Sequence, residues 1–165
     1  MAKLDDLRNS ESYSMVCLYA EETLLGTLFF SRETVSDLEF IFNNLDPEDF
    51  WDEECKILYK GARECFVAGR PVTMTSVLHI VRDSLKTNTV KPEIVTRLAM
   101  VMPVQSDLKC VAQAIKESAI ARKIANTLDV ASGEMLSAAS PSMYLTDIID
   151  KLQAFKKDFQ GFAHD

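Results

Sequence analysis

The stretch from Asp49 to Thr73, DFWDEECKILYKGARECFVAGRPVT, leaves little freedom in local structure. Cys55, Leu58, Tyr59, Ala62, Cys65 and Phe66 recur at spacings of three and four, which is one stripe of a helix. Ile57, Val67 and Ala68 fall off the stripe and widen it, so the helix is expected to be packed on two sides at the centre of an α-helical domain. Its ends are marked. Asp52 can cap the first turn, with Glu53 and Glu54 placed well at the positive end of the helix dipole. Gly69 suits the left-handed residue that closes a helix, and Pro71 prevents continuation. Phe50 and Trp51, just before the cap, can fold back as a hydrophobic staple.

Helical spacing recurs along the rest of the chain. Residues 1–14 read as a flexible arm, with Ser14 capping a helix over Met15–Phe30 that carries Val16, Tyr19, Ala20, Leu24 and Leu28 on related faces. Gly26 falls inside that helix, where glycine costs ~1 kcal/mol relative to alanine. Close approach of a neighbouring helix explains it better than a hinge does. Further helices are expected over Glu33–Leu45, over Met74–Leu85 behind a Thr73 cap, and from Pro92 at an N1 position to Val101. The polar loop KTNTVK (86–91) separates the last two. No strand alternation is visible, so the fold class is all-α.

After Pro103 the character changes. Ser106 or Asp107 caps a long helical segment over Leu108–Leu136, and a small-residue turn (SAASP) leads into an amphipathic helix over Ser142–Phe159. Two helices joined by a short loop read as an antiparallel hairpin. The expected organisation is thus an arm (1–14), a compact helical globule (15–104), a helical hairpin (105–160) and a tail (161–165). Ile120, Ile124, Leu128, Ile148, Leu152 and Phe155 offer more apolar surface than one mutual contact consumes. They either pack on the globule or form a protein-interaction patch completed by another subunit. The second reading is adopted.

Composition excludes several function classes. The net charge of −7 disfavours direct binding of nucleic acid, which needs a concentrated cationic surface. No apolar run approaches the ~20 residues of a membrane helix, and the polar, acidic N-terminus is unlike a signal peptide. Cys17, Cys55, Cys65 and Cys110 form no CxxC pair, and only His79 and His164 could join them, so no zinc site is expected. Reduced thiols in a cytoplasmic protein are the simpler reading. None of the five glycines belongs to a P-loop, and no nucleophile–base set occurs. The acids Asp46, Glu48, Asp49, Asp52, Glu53 and Glu54 cluster where a turn and a helix start favour them anyway. The chain is therefore expected to be no enzyme and to use no cofactor or metal.

Several short motifs, in order, carry a resemblance. Ala20-Glu21 with Leu25-Gly26, Asp49-Phe50-Trp51, Leu58-Tyr59 with Ala62, and Gly69-x-Pro71-Val72 are followed by Pro103, Asp107, Ala112, Ala119 and Arg122. This series resembles the N-terminal domain of DnaB-type replicative DNA helicases, from about Tyr19 to Phe159. Thr73, Cys55, Val111 and Asp107 depart from the family's usual Asp, His, Tyr and Asn, so the chain looks like a divergent relative. The resemblance implies a non-catalytic helical globule plus hairpin of the kind that builds the collar of a hexameric helicase ring and docks primase. No motor sequence follows within the chain. The expectation is a replication protein, plausibly phage-encoded, that binds a replicative helicase as loader, recruiter or modulator. The alternative is an excised collar domain that self-associates through the hairpin and binds primase.

Overall fold

The computed structural model describes residues 11–31, 35–83, 90–101 and 108–163. They form seven α-helices and two 3-10 turns, and no strand occurs among them. The helices are α1 (Glu11–Phe30), α2 (Val35–Asn44), α3 (Glu53–Val67), α4 (Met74–Asp83), α5 (Pro92–Ala99), α6 (Leu108–Glu134) and α7 (Pro141–Ala163). The 3-10 turns are Pro47–Asp49, before α3, and Met135–Ser137, after α6.

Helix α3 is buried along its stripe and packs on α1 and α4, but Val67 and Ala68, expected to widen the stripe, are exposed at its end. Cys55, Leu58, Tyr59, Ala62 and Cys65 are all fully buried. The Asp52 side chain accepts a hydrogen bond from the Cys55 N–H at 2.9 Å, and Gly69 closes the helix at φ 67°. Phe50 stacks on Tyr59 with ring centroids 4.5 Å apart. The Tyr59 hydroxyl donates to the Leu45 carbonyl at 2.6 Å and lies 3.2 Å from that of Ile41, so the C-terminal end of α2 is tied to α3 by one buried phenol. On the other side α3 packs on α4. A Cβ on Gly61 would come within 3.0–3.1 Å of the Val81 and Val77 side chains, so the missing side chain lets the two helices close up. Thr73 caps α4 by accepting from the Ser76 N–H at 3.3 Å.

Helix α1 packs against α3, α5 and α6. Gly26 is its contact point with α5. A Cβ there would stand 2.7 Å from the Val101 Cβ and 2.9 Å from the Leu98 carbonyl oxygen, the close approach that the sequence suggested. Two expectations for α1 are corrected. The helix begins at Glu11, taking in Tyr13 and Ser14. Val16 and Tyr19 are exposed, while Cys17, Leu24, Leu25, Leu28 and Phe29 are buried. The run from Thr23 to Phe29 is buried throughout and gives no phase to read. Inward-facing Glu21 sets it through its contact with the turn before α3. The Ser106 or Asp107 cap and Pro103 lie outside the described residues, as does most of the 86–91 loop.

Helix α6 is continuous for 27 residues and serves two neighbourhoods. It packs on α1, α2 and the Pro47–Asp49 turn, and also on α7. Tyr144, near the start of α7, donates to the Glu134 carboxylate at the end of α6 at 2.7 Å, which marks the chain reversal.

Candidate functional site: a buried polar junction and an exposed hairpin

Where α6 leaves the globule, polar side chains are gathered beneath the surface. Glu21 and Asp49 are each 1% exposed. The Glu21 carboxylate accepts from the backbone N–H groups of Trp51 and Asp52, reaching from α1 to the turn that starts α3. This contact fixes which face of α1 points inward. Asp49 Oδ2 accepts from the Asp46 N–H at 2.8 Å and from Lys116 Nζ at 2.9 Å, and Lys123 Nζ lies 3.7 Å from Oδ1. Arg122 completes the junction. Its Nη2 donates to the Asp49 carbonyl at 2.6 Å, its Nη1 donates to the Tyr13 hydroxyl at 3.3 Å, and its guanidinium carbon lies 5.4 Å from the centre of the Trp51 ring. Tyr13 meets Trp51 edge to face at 5.5 Å.

Burial raises the Glu21 carboxyl from its ordinary 4.5 to about 7; the two N–H donors oppose the rise, Asp52 adds to it and Arg122 counteracts it. Burial likewise pushes up the Tyr13 hydroxyl and the Cys17 thiol, against the pull of Arg122. The motif residues Glu21, Asp49, Trp51 and Arg122 thus meet in one place, where they join α1, the turn before α3 and α6. The acids around them are dispersed: Asp46 pairs with Arg63 at 3.3 Å, Glu48 and Glu53 with Lys56, and Glu54 accepts from the Lys91 N–H. Among the described residues no group of three or more His, Cys, Asp or Glu is placed to hold a metal ion. None of the four cysteines is disulfide-bonded, and Cys110 is exposed; His79 lies on the surface beside Asp83.

The residues matching a family model are 15–117, well over half of the chain, and that model describes the DnaB-like helicase N-terminal domain. The chain belongs to this family. Membership carries a helicase-related role in DNA replication. No curated protein and no solved structure gives a significant match. The DnaB-like match runs from α1 into the first third of α6; the rest of the hairpin lies beyond it. No described helix is long and apolar enough to cross a membrane.

The six hairpin residues singled out from the sequence divide. Ile120 is fully buried, which corrects its assignment to a surface patch. It precedes Arg122 by two positions, beside Ala119, which is buried as well. Ile124, Ile148, Leu152 and Phe155 are half-buried, and Leu128 is exposed. In α7 the half-buried positions Tyr144, Ile148, Leu152, Phe155 and Phe159 form a stripe at spacings of three and four. No residue of α7 whose burial is described is fully buried. More exposed still are Leu136 at 95%, Met143 at 70% and Leu145 at 50%, with Val130 and Ile149 just below Leu128. Leu145 and Ile149 are one helical turn apart, and their presence in the amphipathic pattern was the signal available in the sequence.

Proposed function

We propose that this DnaB-like chain is a non-catalytic replication protein that binds a replicative DNA helicase through its helical hairpin, as loader, recruiter or modulator. One observation carries the reading. The hairpin's second helix buries none of its described side chains fully, while Leu128, Leu136, Met143, Leu145 and Ile149 stay in water. Several large apolar side chains exposed on one helical pair are what a partner would cover. Domains of this family associate with one another in the helicase collar, so the collar of a replicative helicase is a partner of matching construction. Ile124, Leu128, Ile148, Leu152 and Phe155 support the interface, the half-buried ones from the seam of the hairpin. The second reading, a collar domain that self-associates and binds primase, draws on the same exposed side chains.

Native mass measurement of the chain alone, and mixed with a purified replicative helicase, tests the proposal. A helicase-bound species is the expected result. Discrete homo-oligomers with no helicase complex favour the second reading, and a monomer in both samples refutes both.

A further inference from the structure

Between α1, the Pro47–Asp49 turn and α6 lies a cavity of about 10 Å³, lined by Cys17, Ala20, Glu21, Asp49, Ile115, Ser118 and Arg122. That is close to the smallest space that admits one water molecule. Asp49 is 1% exposed, and its Oδ1 accepts no hydrogen bond from any described residue; the Lys123 ammonium at 3.7 Å is too far to donate. A buried carboxylate oxygen left without a donor is costly, and such atoms in native proteins are regularly served by ordered water. The neighbouring Glu21 carboxylate is held less closely on one side. Its Oε1 takes the Trp51 N–H, whereas the contact of Oε2 with the Asp52 N–H is 3.4 Å long.

We propose that this cavity is a built binding site for a single water molecule, which donates to Asp49 Oδ1 and to the Glu21 carboxylate and accepts from Ser118 or Arg122. The complement of groups selects that ligand. Two acceptors and two donor-bearing side chains converge on the cavity, and water offers two of each. A metal cation is disfavoured because Lys116, Lys123 and Arg122 already set three positive charges against two carboxylates. An anion is disfavoured by the carboxylates themselves, and the volume admits nothing larger. The water ties together the same three elements that Arg122 joins, so the root of the hairpin is a hydrated knot and not dry core.

Two measurements on the full chain decide it. A crystal structure fine enough to resolve ordered solvent is expected to show one peak within hydrogen-bonding distance of Asp49 Oδ1 and the Glu21 carboxylate. Oxygen-17 relaxation dispersion is expected to count one long-lived water fewer in Ser118→Val, whose methyl groups occupy the cavity, than in the wild type or in Ser118→Ala. No peak overturns the proposal, as does a peak that refines only as a metal ion, or an unchanged water count in a folded Ser118→Val chain. If Ser118→Val does not fold, the presence or absence of the wild-type peak decides alone.

Discussion

Replacing Glu21 by Gln separates the charge of this buried carboxyl from its shape. Glutamine keeps an oxygen for the Trp51 and Asp52 N–H groups and removes the titration. The folded carboxyl is raised from 4.5 to about 7, chiefly because burial penalises the anion. A folded state that holds its proton more tightly than the unfolded state loses stability as pH rises through the interval in which only the folded form is protonated. The contribution is fully present below pH 4.5 and is lost as pH rises through 7. At ~1.4 kcal/mol per pH unit, the window corresponds to roughly 3 kcal/mol, an upper figure because Arg122 and the N–H donors relax around the charge. Other acids titrate in the same range, so the quantity to follow is the difference between wild type and Glu21→Gln in urea unfolding free energy, taken at steps from pH 4 to 8.5. It is expected to shift by about 2–3 kcal/mol against the wild type as pH rises, most steeply between 4.5 and 7. A difference that stays flat, or that grows in favour of the wild type, refutes the account of Glu21 as a carboxyl strained by burial.

Three further outcomes are expected. Gly26→Ala places a methyl against the Val101 Cβ and the Leu98 carbonyl oxygen, and should lower stability by about 1–3 kcal/mol in urea unfolding. Tyr59→Phe removes the buried hydroxyl that serves the carbonyls at the end of α2, with an expected loss of ~1–3 kcal/mol; a neutral result would mean those carbonyls are satisfied otherwise. Leu145→Asp combined with Ile149→Asp should abolish partner or self-association in native mass measurement while far-ultraviolet circular dichroism is unchanged. Loss of helicity would show instead that these exposed side chains hold the hairpin together.

The helices legible in the sequence were those with chemical punctuation. Asp52 and Gly69 bracket α3, Thr73 and Pro92 open α4 and α5, and the glycine at 26 announced a close contact. The phase of α1 was not legible, because Thr23–Phe29 is buried throughout and the deciding residue is a glutamate. Glu21 and Asp49 each read as a surface acid when taken singly; their burial depends on backbone N–H groups and a lysine distant in sequence. Only the ordered motifs pointed to them. On the hairpin, periodicity located the apolar stripe of α7 but could not separate the side facing α6 from Leu145 and Ile149 on the water side. Ile120 failed for a related reason: spacing marks an apolar position on a long helix but does not say how deeply it is buried.

The unbroken course of α6 makes it a lever. Its seat is held at Arg122 and Lys116, and Glu134 lies twelve residues farther on, about 18 Å at 1.5 Å per residue. A tilt of about ten degrees at the seat would carry the far end of a rod that long through about 3 Å, the breadth of a hydrogen bond. With the helix unbroken between them, whatever grips the tip and whatever disturbs the fulcrum are mechanically joined.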